Sequence, residues 1–251
     1  MNSKYSADND ADKEFYLGVV DAIRSTPDGT RKFFQTKNVH WIQKIEENWG
    51  VVYQEYLKIS KMLELLPPID EISQTQKHLN EDKKWKIFPF FGYGVTFDKN
   101  LERCPETTKL LQIVPGIRGA MFSIMSPGKY IEPHVGAYCG VIRYHLGVKI
   151  PDPIEQCGIS VGGEIRHWEQ GKSILFDDTH THSAWNNTSD ERVVLLIDLE
   201  RPLEGWLDKI NKSMINKMAK ILIDGTDKSW ELWESENGKI FDELFDNNNL
   251  N

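Results

Sequence analysis

The chain has 251 residues, 39% hydrophobic and 27% charged, the balance of a water-soluble globular protein with one sizeable core or two small ones. A formal net charge of −8 excludes a general nucleic-acid binder, which needs a basic face. No apolar run approaches membrane-spanning length, and the polar first ten residues carry no signal-like apolar stretch, so a cytoplasmic protein without a membrane partner is expected.

Residues 1–11 read as a frayed start. From Asp12 to about Ser25, the positions Phe15, Leu17, Val19, Val20 and Ile23 predict a short helix of loose periodicity, broken by Pro27-Asp28-Gly29. Trp49, Val52, Tyr53, Tyr56, Ile59, Leu63 and Leu66 recur at three and four. They predict one longer helix from about Ile45 to Leu66, stopped by Pro67-Pro68. Residues 69–84 are polar and read as loop or a short helix.

The character changes at Trp85, where Lys86 to Gly94 read as a strand entering turns. Pro105 to Leu111 predict one or two helical turns. From Gly119 to Leu199 the segments are short, β-branched and split by turn residues, among them Ser126-Pro127-Gly128, Gly147, Pro151-Asp152-Pro153 and Gly162-Gly163. That spacing predicts an antiparallel sandwich or barrel, ended by Arg201-Pro202. Beyond it, Trp206, Leu207, Ile210, Met214, Met218, Ile221 and Leu222 fit one helix face, packed on the β core with its lysines in solvent and ended by Asp224-Gly225. The tail sets Trp230, Trp233, Phe241 and Phe245 in an acidic background before a disordered Asn247-Asn248-Asn249 end. These aromatics are either an interface or packed on their own chain, and oligomeric state stays open. Cys104, Cys139 and Cys157 are an odd, sparse set, expected to be reduced thiols, with one disulfide left open. A single domain over 1–251 is expected: helical support in 1–84, which lacks strands to close its own core, a β core in 85–202, and a helical segment and tail in 203–251.

Several polar residues fall inside this β region. In Val141 to Val148, alternation puts Arg143 and His145 on one face and Tyr144, Leu146 and Val148 on the other. Taken alone, that polar face reads first as a wet one. His134 follows Glu132-Pro133, a setting for a ligand or for a surface residue. His182 closes His180-Thr181-His182, where either ring is a ligand or a hydrogen-bonded core histidine. Two neutral imidazoles from two strands suit Fe(II) with open positions for oxygen chemistry. Zinc hydrolysis stays open too, since His134, His180 and His182 supply its usual three ligands. Arg192 opens the apolar strand Val193 to Leu199, which is costly unless the guanidinium meets an anion. That anion is a protein carboxylate (Asp177, Asp178 or Asp198) or a bound one. Ser123, Arg143 and Arg192 offer donors from three strands to one small dicarboxylate.

Eight stretches then take on a joint meaning: Cys104-Pro-Glu-Thr-Thr108, Ser123-Ile-Met-Ser-Pro-Gly128, Pro133-His134-Val-Gly136, Arg143-Tyr-His145-Leu-Gly147, Trp168-Glu-Gln-Gly-Lys172, Phe176-Asp-Asp178, His182-Ser-Ala-Trp185 and Arg192. In order and spacing the chain resembles the aspartyl/asparaginyl β-hydroxylases, Fe(II)- and 2-oxoglutarate-dependent dioxygenases. The resemblance is strong from about Trp85 to Pro202 and weak from about Trp41 to Lys84. It implies a mainly β fold with flanking helices and a double-stranded β-helix core, jelly-roll and cupin-like. It implies Fe(II), 2-oxoglutarate and O2 as cofactors. His134 and His182 would be the metal ligands, the tryptophan three residues on choosing His182 over His180. Arg192 and Ser123 would hold the distal carboxylate of 2-oxoglutarate, and Arg143 with His145 its metal-binding end.

Gly136 stands two residues after the first histidine, where many oxygenases have a carboxylate. Water filling that place implies hydroxylation; chloride filling it would support halogenation of a small molecule. Two features depart from the relatives. His180 replaces a bulky apolar residue, and Ala137-Tyr-Cys-Gly140 replaces a Pro-Thr-Asn-like run that shapes the substrate side. The membrane anchor and helical repeats of some relatives have no counterpart here, so a secreted EGF-like domain is not the expected substrate. The expected reaction is hydroxylation of an unactivated C–H, at the β-carbon of an Asp- or Asn-like amino acid that is free, carrier-bound or peptidyl. The reading of another class is a non-catalytic cupin-like binding barrel, in which Arg143 and Arg192 are structural ion-pair partners.

Overall fold

The structure is a computed structural model that describes residues 10–222 and 226–247. Ten strands form its centre: β1 (Trp85–Gly92), β2 (Val95–Thr96), β3 (Ile117–Met125), β4 (Lys129–His134), β5 (Val141–Lys149), β6 (Cys157–Val161), β7 (Glu164–Arg166), β8 (Ser173–Phe176), β9 (His182–Asn186) and β10 (Arg192–Glu200). They pair as two antiparallel sheets, in the order β2-β1-β3-β10-β5-β8 and β4-β9-β6-β7. From β3 to β10 the pairing is nested: β3 with β10, β4 with β9, β5 with β8 and β6 with β7. This is the double-stranded β-helix that the resemblance implies, with β1 and β2 extending the larger sheet.

Sequence explains the layering. Residues Arg192–Asp198 of β10 and Leu199 are buried, because one face of this central strand lines the barrel and the other carries helices. The edge strand β7 is exposed throughout and carries Glu164 and Arg166, charges that blunt an open edge. Gly162 and Gly163 both take positive φ, and Val161 pairs with Glu164 across them, the two-residue hairpin that needs such a pair.

The helices are α1 (Asp10–Arg24), α2 (His40–Glu47), α3 (Trp49–Ser60), α4 (Ile69–Ile72), α5 (Asp98–Arg103), α6 (Pro105–Gln112), α7 (Gly205–Leu222) and α8 (Thr226–Asn247). In α1 the buried positions are Tyr16, Val19 and Ile23, while Phe15 and Leu17 face solvent, which explains the loose periodicity. The single helix expected over 45–66 is instead α2, α3 and a 3-10 turn at Leu63–Leu65. Asn48 makes the break. It leaves helical geometry (φ −104°, ψ 14°), and its side-chain amide donates to the Lys44 carbonyl at 2.8 Å. Residues 69–84 hold α4 and a 3-10 turn at Gln74–Leu79, and α5 is an element that periodicity missed.

The tail is a 22-residue helix, α8, with Trp230, Trp233, Phe241 and Phe245 buried. Trp233 Nε1 donates to the Leu65 carbonyl at 2.8 Å, and Phe241 stacks on Phe88. Its acidic residues Glu234 and Asp242 pair with Lys99 and Arg103 of α5. The aromatics are thus covered by their own chain. The fray expected over residues 1–11 is corrected at 10–11, where α1 has begun, and the disorder expected over Asn247-Asn248-Asn249 is corrected at Asn247, where α8 ends. The rest of both, and the stop at Asp224-Gly225, lie outside the described residues. One large apolar cluster joins α2, α3, α4, α6 and α8 to the sheets, and a smaller one joins α1 and α7 around Tyr138, Cys139 and Val141. The three cysteines are buried thiols. No helix among the described residues is long and apolar enough to cross a membrane.

Candidate metal and cosubstrate site

His134 ends β4, His182 begins β9, and the two are register partners across a bulge after Ile131. Their ring centroids lie 4.0 Å apart with planes at 51°. Each Nδ1 donates to the carbonyl two residues before it, His134 to Glu132 O at 2.8 Å and His182 to His180 O at 3.0 Å. A carbonyl only accepts, so each ring carries a proton on Nδ1, which in a neutral ring leaves the lone pair on Nε2, the tautomer of a metal ligand. Burial, His134 and Arg143 push the pKa of His182 down to about 3, so the ring is neutral at physiological pH. Two histidines thus converge as expected. His180 plays another part: its carbonyl fixes His182, while its own Nε2 is buried without a hydrogen-bond partner. Among the described residues, no three His, Cys, Asp or Glu side chains are arranged to hold a metal ion, so the three-histidine zinc set is not assembled.

Gly136 meets Asp178. A Cβ at position 136 would lie 2.1 Å from Asp178 Oδ1, and the Gly136 N–H donates to the Asp178 carbonyl at 2.8 Å. The carboxylate of Asp178 therefore stands where a side chain after the first histidine would go. Burial raises its pKa to about 6, against the pull of Arg143.

Behind the histidines lies a group of buried donors. Arg192 is 2% exposed, its Nη1 donates to the Ser123 carbonyl at 3.1 Å, and its guanidinium sits 4.6 Å over the Trp168 ring. Its Nε is buried without a partner. No carboxylate among the described residues pairs with it, so neither Asp177, Asp178 nor Asp198 is its anion. Burial lowers its pKa to about 10, still charged at neutral pH. Trp168 Nε1 donates to His145 Nδ1 at 3.2 Å, which puts the His145 proton on Nε2, and that atom too is buried and unpartnered. Ser123 Oγ accepts from Trp85 Nε1 at 3.0 Å, which turns the hydroxyl proton toward another acceptor. An unsatisfied buried donor costs about 1–3 kcal/mol. Donors that are strained in this way on neighbouring strands suit a bound carboxylate.

Arg143 is arranged differently. Its Nε and Nη2 reach both oxygens of Asp198 at 2.7 and 3.1 Å, and its Nη1 lies 3.2 Å from Asp178 Oδ2. Tyr93 also donates to Asp198, at 3.2 Å. This arginine is held in a carboxylate network of Asp178 and Asp198. Sequence reasoning missed that network, along with Trp85 as the partner of Ser123 and Trp168 as the link between Arg192 and His145. Trp168 stood in a motif without a role. Asp198 and Arg143 are cross-strand neighbours, a relationship visible only once β5 and β10 pair.

The model of the family described as Aspartyl/Asparaginyl beta-hydroxylase matches residues 46–202. The chain belongs to this family. Among its relatives, an ornithine lipid ester-linked acyl 2-hydroxylase of Rhizobium tropici is 35% identical over 207 residues, covering 81% of this chain and 74% of that one. Human aspartyl/asparaginyl beta-hydroxylase is 30% identical over 189 residues, covering 73% of this chain and 24% of that protein. Mouse aspartate beta-hydroxylase domain-containing protein 2 is 32% identical over 184 residues, 69% of this chain and 51% of that one. This β-hydroxylase-family chain therefore spans three quarters of the bacterial relative and a quarter to a half of the animal ones. By name all three are hydroxylases or hydroxylase-domain proteins, which supports an enzyme. Among solved structures, the cupin domain of a transcriptional regulator from Enterobacter cloacae aligns over 47% of this chain and 99% of that one, at 16% identity and a TM-score of 0.33. That likeness adds nothing to the topology already described.

Proposed function

We propose that this chain is an Fe(II)- and 2-oxoglutarate-dependent hydroxylase acting on a methylene next to an acyl carbonyl. The observation that carries the reading is the buried Arg192, with no carboxylate among the described residues, joined through Trp168 to His145 and its unpartnered Nε2–H, together with a converging histidine pair. These residues fit the proposed groups: two imidazoles, each with Nδ1 bound to a carbonyl, have Nε2 left for a metal, and cationic and neutral donors wait for a dicarboxylate. When bound, iron with 2-oxoglutarate and dioxygen supplies the oxidising power that turns C–H into C–OH, with succinate and carbon dioxide as co-products.

In this reading His134 and His182 hold the metal, oriented by the Glu132 and His180 carbonyls. Arg192, Ser123 and His145 grip the cosubstrate, with Trp168 and Trp85 fixing the angles of His145 and Ser123. Arg143 meets the metal-binding end while balancing Asp178 and Asp198. The Asp178 carboxylate beside Gly136 supports hydroxylation over halogenation, because above pH 6 it opposes a chloride in the same place. The binding-barrel alternative needs both arginines in structural ion pairs, and among the described residues Arg143 is in one and Arg192 is not.

The substrate class follows from shared chemistry. The β-carbon of an aspartyl residue neighbours its side-chain carboxyl, and carbon 2 of an acyl chain neighbours its ester carbonyl. Both reactions insert oxygen beside a carbonyl. The alignment with the acyl 2-hydroxylase covers more of both chains, so an ester-linked acyl chain of an amino-acid-containing lipid is the first substrate proposed. The test supplies Fe(II), 2-oxoglutarate and oxygen with either ornithine lipid or an aspartyl peptide, and follows succinate and a 16 Da gain by mass spectrometry. A gain at acyl carbon 2 supports the lipid reading. A gain only in the peptide overturns it in favour of the amino-acid β-carbon. Succinate formation from neither, in iron-loaded protein, contradicts the hydroxylase reading for both classes.

A further inference from the structure

Two loops carry the residues around the metal site. One runs from His134 to Gly140, the other from Asp177 to His182. Both are tied to elements that lie outside residues 46–202. Arg24, the last residue of α1, donates through Nη1 to Asp177 Oδ2 at 2.7 Å and through Nη2 to the Thr179 hydroxyl. Asp177 is fully buried and also receives Arg201 Nη2, the Thr179 hydroxyl and the Thr179 N–H. Arg201 in turn donates through Nε to the Cys139 carbonyl at 2.6 Å and through Nη1 to the Asp28 carbonyl at 3.0 Å. Tyr16 of α1 reaches the Ala137 carbonyl at 3.4 Å, and Asn211 of α7 donates to the Gly140 carbonyl at 2.9 Å. The loops touch each other through the Gly136 N–H and the Asp178 carbonyl at 2.8 Å.

On this geometry we infer that α1 is a working part of the metal site, with Arg24 as a positioning residue that sets the spacing of the His134 and His182 loops through Asp177. The inference rests on the reading of those two histidines as the metal ligands. The physical reason is local. His182 is held by the carbonyl of His180, three residues after Asp177, so the direction of its Nε2 follows the loop that Asp177 anchors. Asp177 is shared by two arginines from opposite ends of the chain: Arg201 continues from β10, and Arg24 comes from α1. Arg201 alone bridges Asp177 to the Cys139 carbonyl, and Arg24 adds the second fixed point that stops the 177–182 loop from turning about the first. Groups that orient metal ligands from behind typically contribute 10–100-fold in metal affinity or activity.

The test is anaerobic Fe(II) titration of the full chain by calorimetry, followed by 2-oxoglutarate and the visible charge-transfer band, in wild type, Arg24→Ala, Arg24→Lys and the exposed control Lys13→Ala. The expected result is a rise of about tenfold in the Fe(II) Kd for Arg24→Ala, with a shifted or weakened band. Arg24→Lys recovers most of both, and Lys13→Ala matches wild type. Unchanged Kd and band in folded Arg24→Ala overturn the inference. Should Arg24→Ala not fold, Thr179→Val decides in its place. It keeps the volume and removes the hydroxyl that Arg24 meets, so a raised Kd supports the inference and a wild-type Kd overturns it. Fe(II) binding that survives His134→Ala and His182→Ala overturns the metal-site reading and this inference together. Binding lost in those variants but intact in Arg24→Ala overturns this inference alone.

Discussion

Asp178 occupies the space that any side chain at position 136 would need: a Cβ on Gly136 would lie 2.1 Å from its Oδ1. The glycine after the first histidine is therefore not simply a missing ligand. It is the counterpart of a carboxylate delivered from the other loop, 42 positions later, and locked there by Arg143 at 3.2 Å.

This relationship predicts a coupled pair. Gly136→Ala should destabilise the protein by about 1–3 kcal/mol, the usual cost of overpacking a closed site. In an Asp178→Ala background the same change should cost less than about 1 kcal/mol, because the opposing atoms are gone. Urea unfolding of the four proteins in the cycle measures the difference. Additive effects would show that the two residues do not share this space.

Arg192 trades stability for binding. Among the described residues its buried Nε has no partner and its charge no carboxylate. Arg192→Met should therefore raise the stability of the ligand-free protein by about 1–3 kcal/mol, the desolvation it no longer suffers. It should also abolish the rise in Tm that 2-oxoglutarate gives the wild type. A variant that is less stable and still responds to 2-oxoglutarate would contradict this role.

His145 predicts a pH dependence. Burial, with Arg192 and Arg143 nearby, pushes its pKa well below 6.5, so the folded ring stays neutral on acidification. The unfolded ring takes up a proton below about 6.5. Its contribution is thus complete above that pH and is lost as pH falls below it, by up to about 1.4 kcal/mol per unit. His182, pushed down to about 3, acts in the same direction. The urea midpoint of metal-free wild type should fall more steeply between pH 6.5 and 5 than that of His145→Gln. Parallel slopes would mean that His145 titrates alike in both states.

The C-terminal helix belongs to the fold. Phe241 is fully buried, stacks on Phe88 and lies under the Arg103 guanidinium at 4.7 Å. Phe241→Ala should cost about 3–5 kcal/mol in urea unfolding, as for a core aromatic. A cost below about 1 kcal/mol would make α8 an appendage.

Legibility in the sequence followed the range of the interaction. Alternation and turn spacing, which are local, predicted an antiparallel sandwich or barrel and put Arg143 and His145 on one face, while the double-stranded β-helix and the roles of His134, His182, Ser123, His145 and Arg192 came from the resemblance. Arg143 could be placed on the right face, but not with its partner, because Asp198 is 55 positions away and meets it only through strand register. Asp178 was visible as an acid near His182, while its fit against Gly136 needed both loops in space. The one-helix reading of 45–66 failed at a single residue: apolar spacing continues through Asn48, but its side chain competes for the backbone and ends α2. Acidic residues concealed α8, since Glu234 and Asp242 are matched by Lys99 and Arg103 from more than 130 positions earlier.

The most direct measurement of the central claim is anaerobic. Fe(II) and then 2-oxoglutarate are added to metal-free wild type, His182→Ala and Arg192→Ala, and the visible spectrum is followed. The account predicts a metal-to-ligand charge-transfer band in wild type, lost in His182→Ala for want of metal and in Arg192→Ala for want of cosubstrate. Folded wild-type protein that takes up Fe(II) yet shows no band, or a band that survives both substitutions, would contradict it.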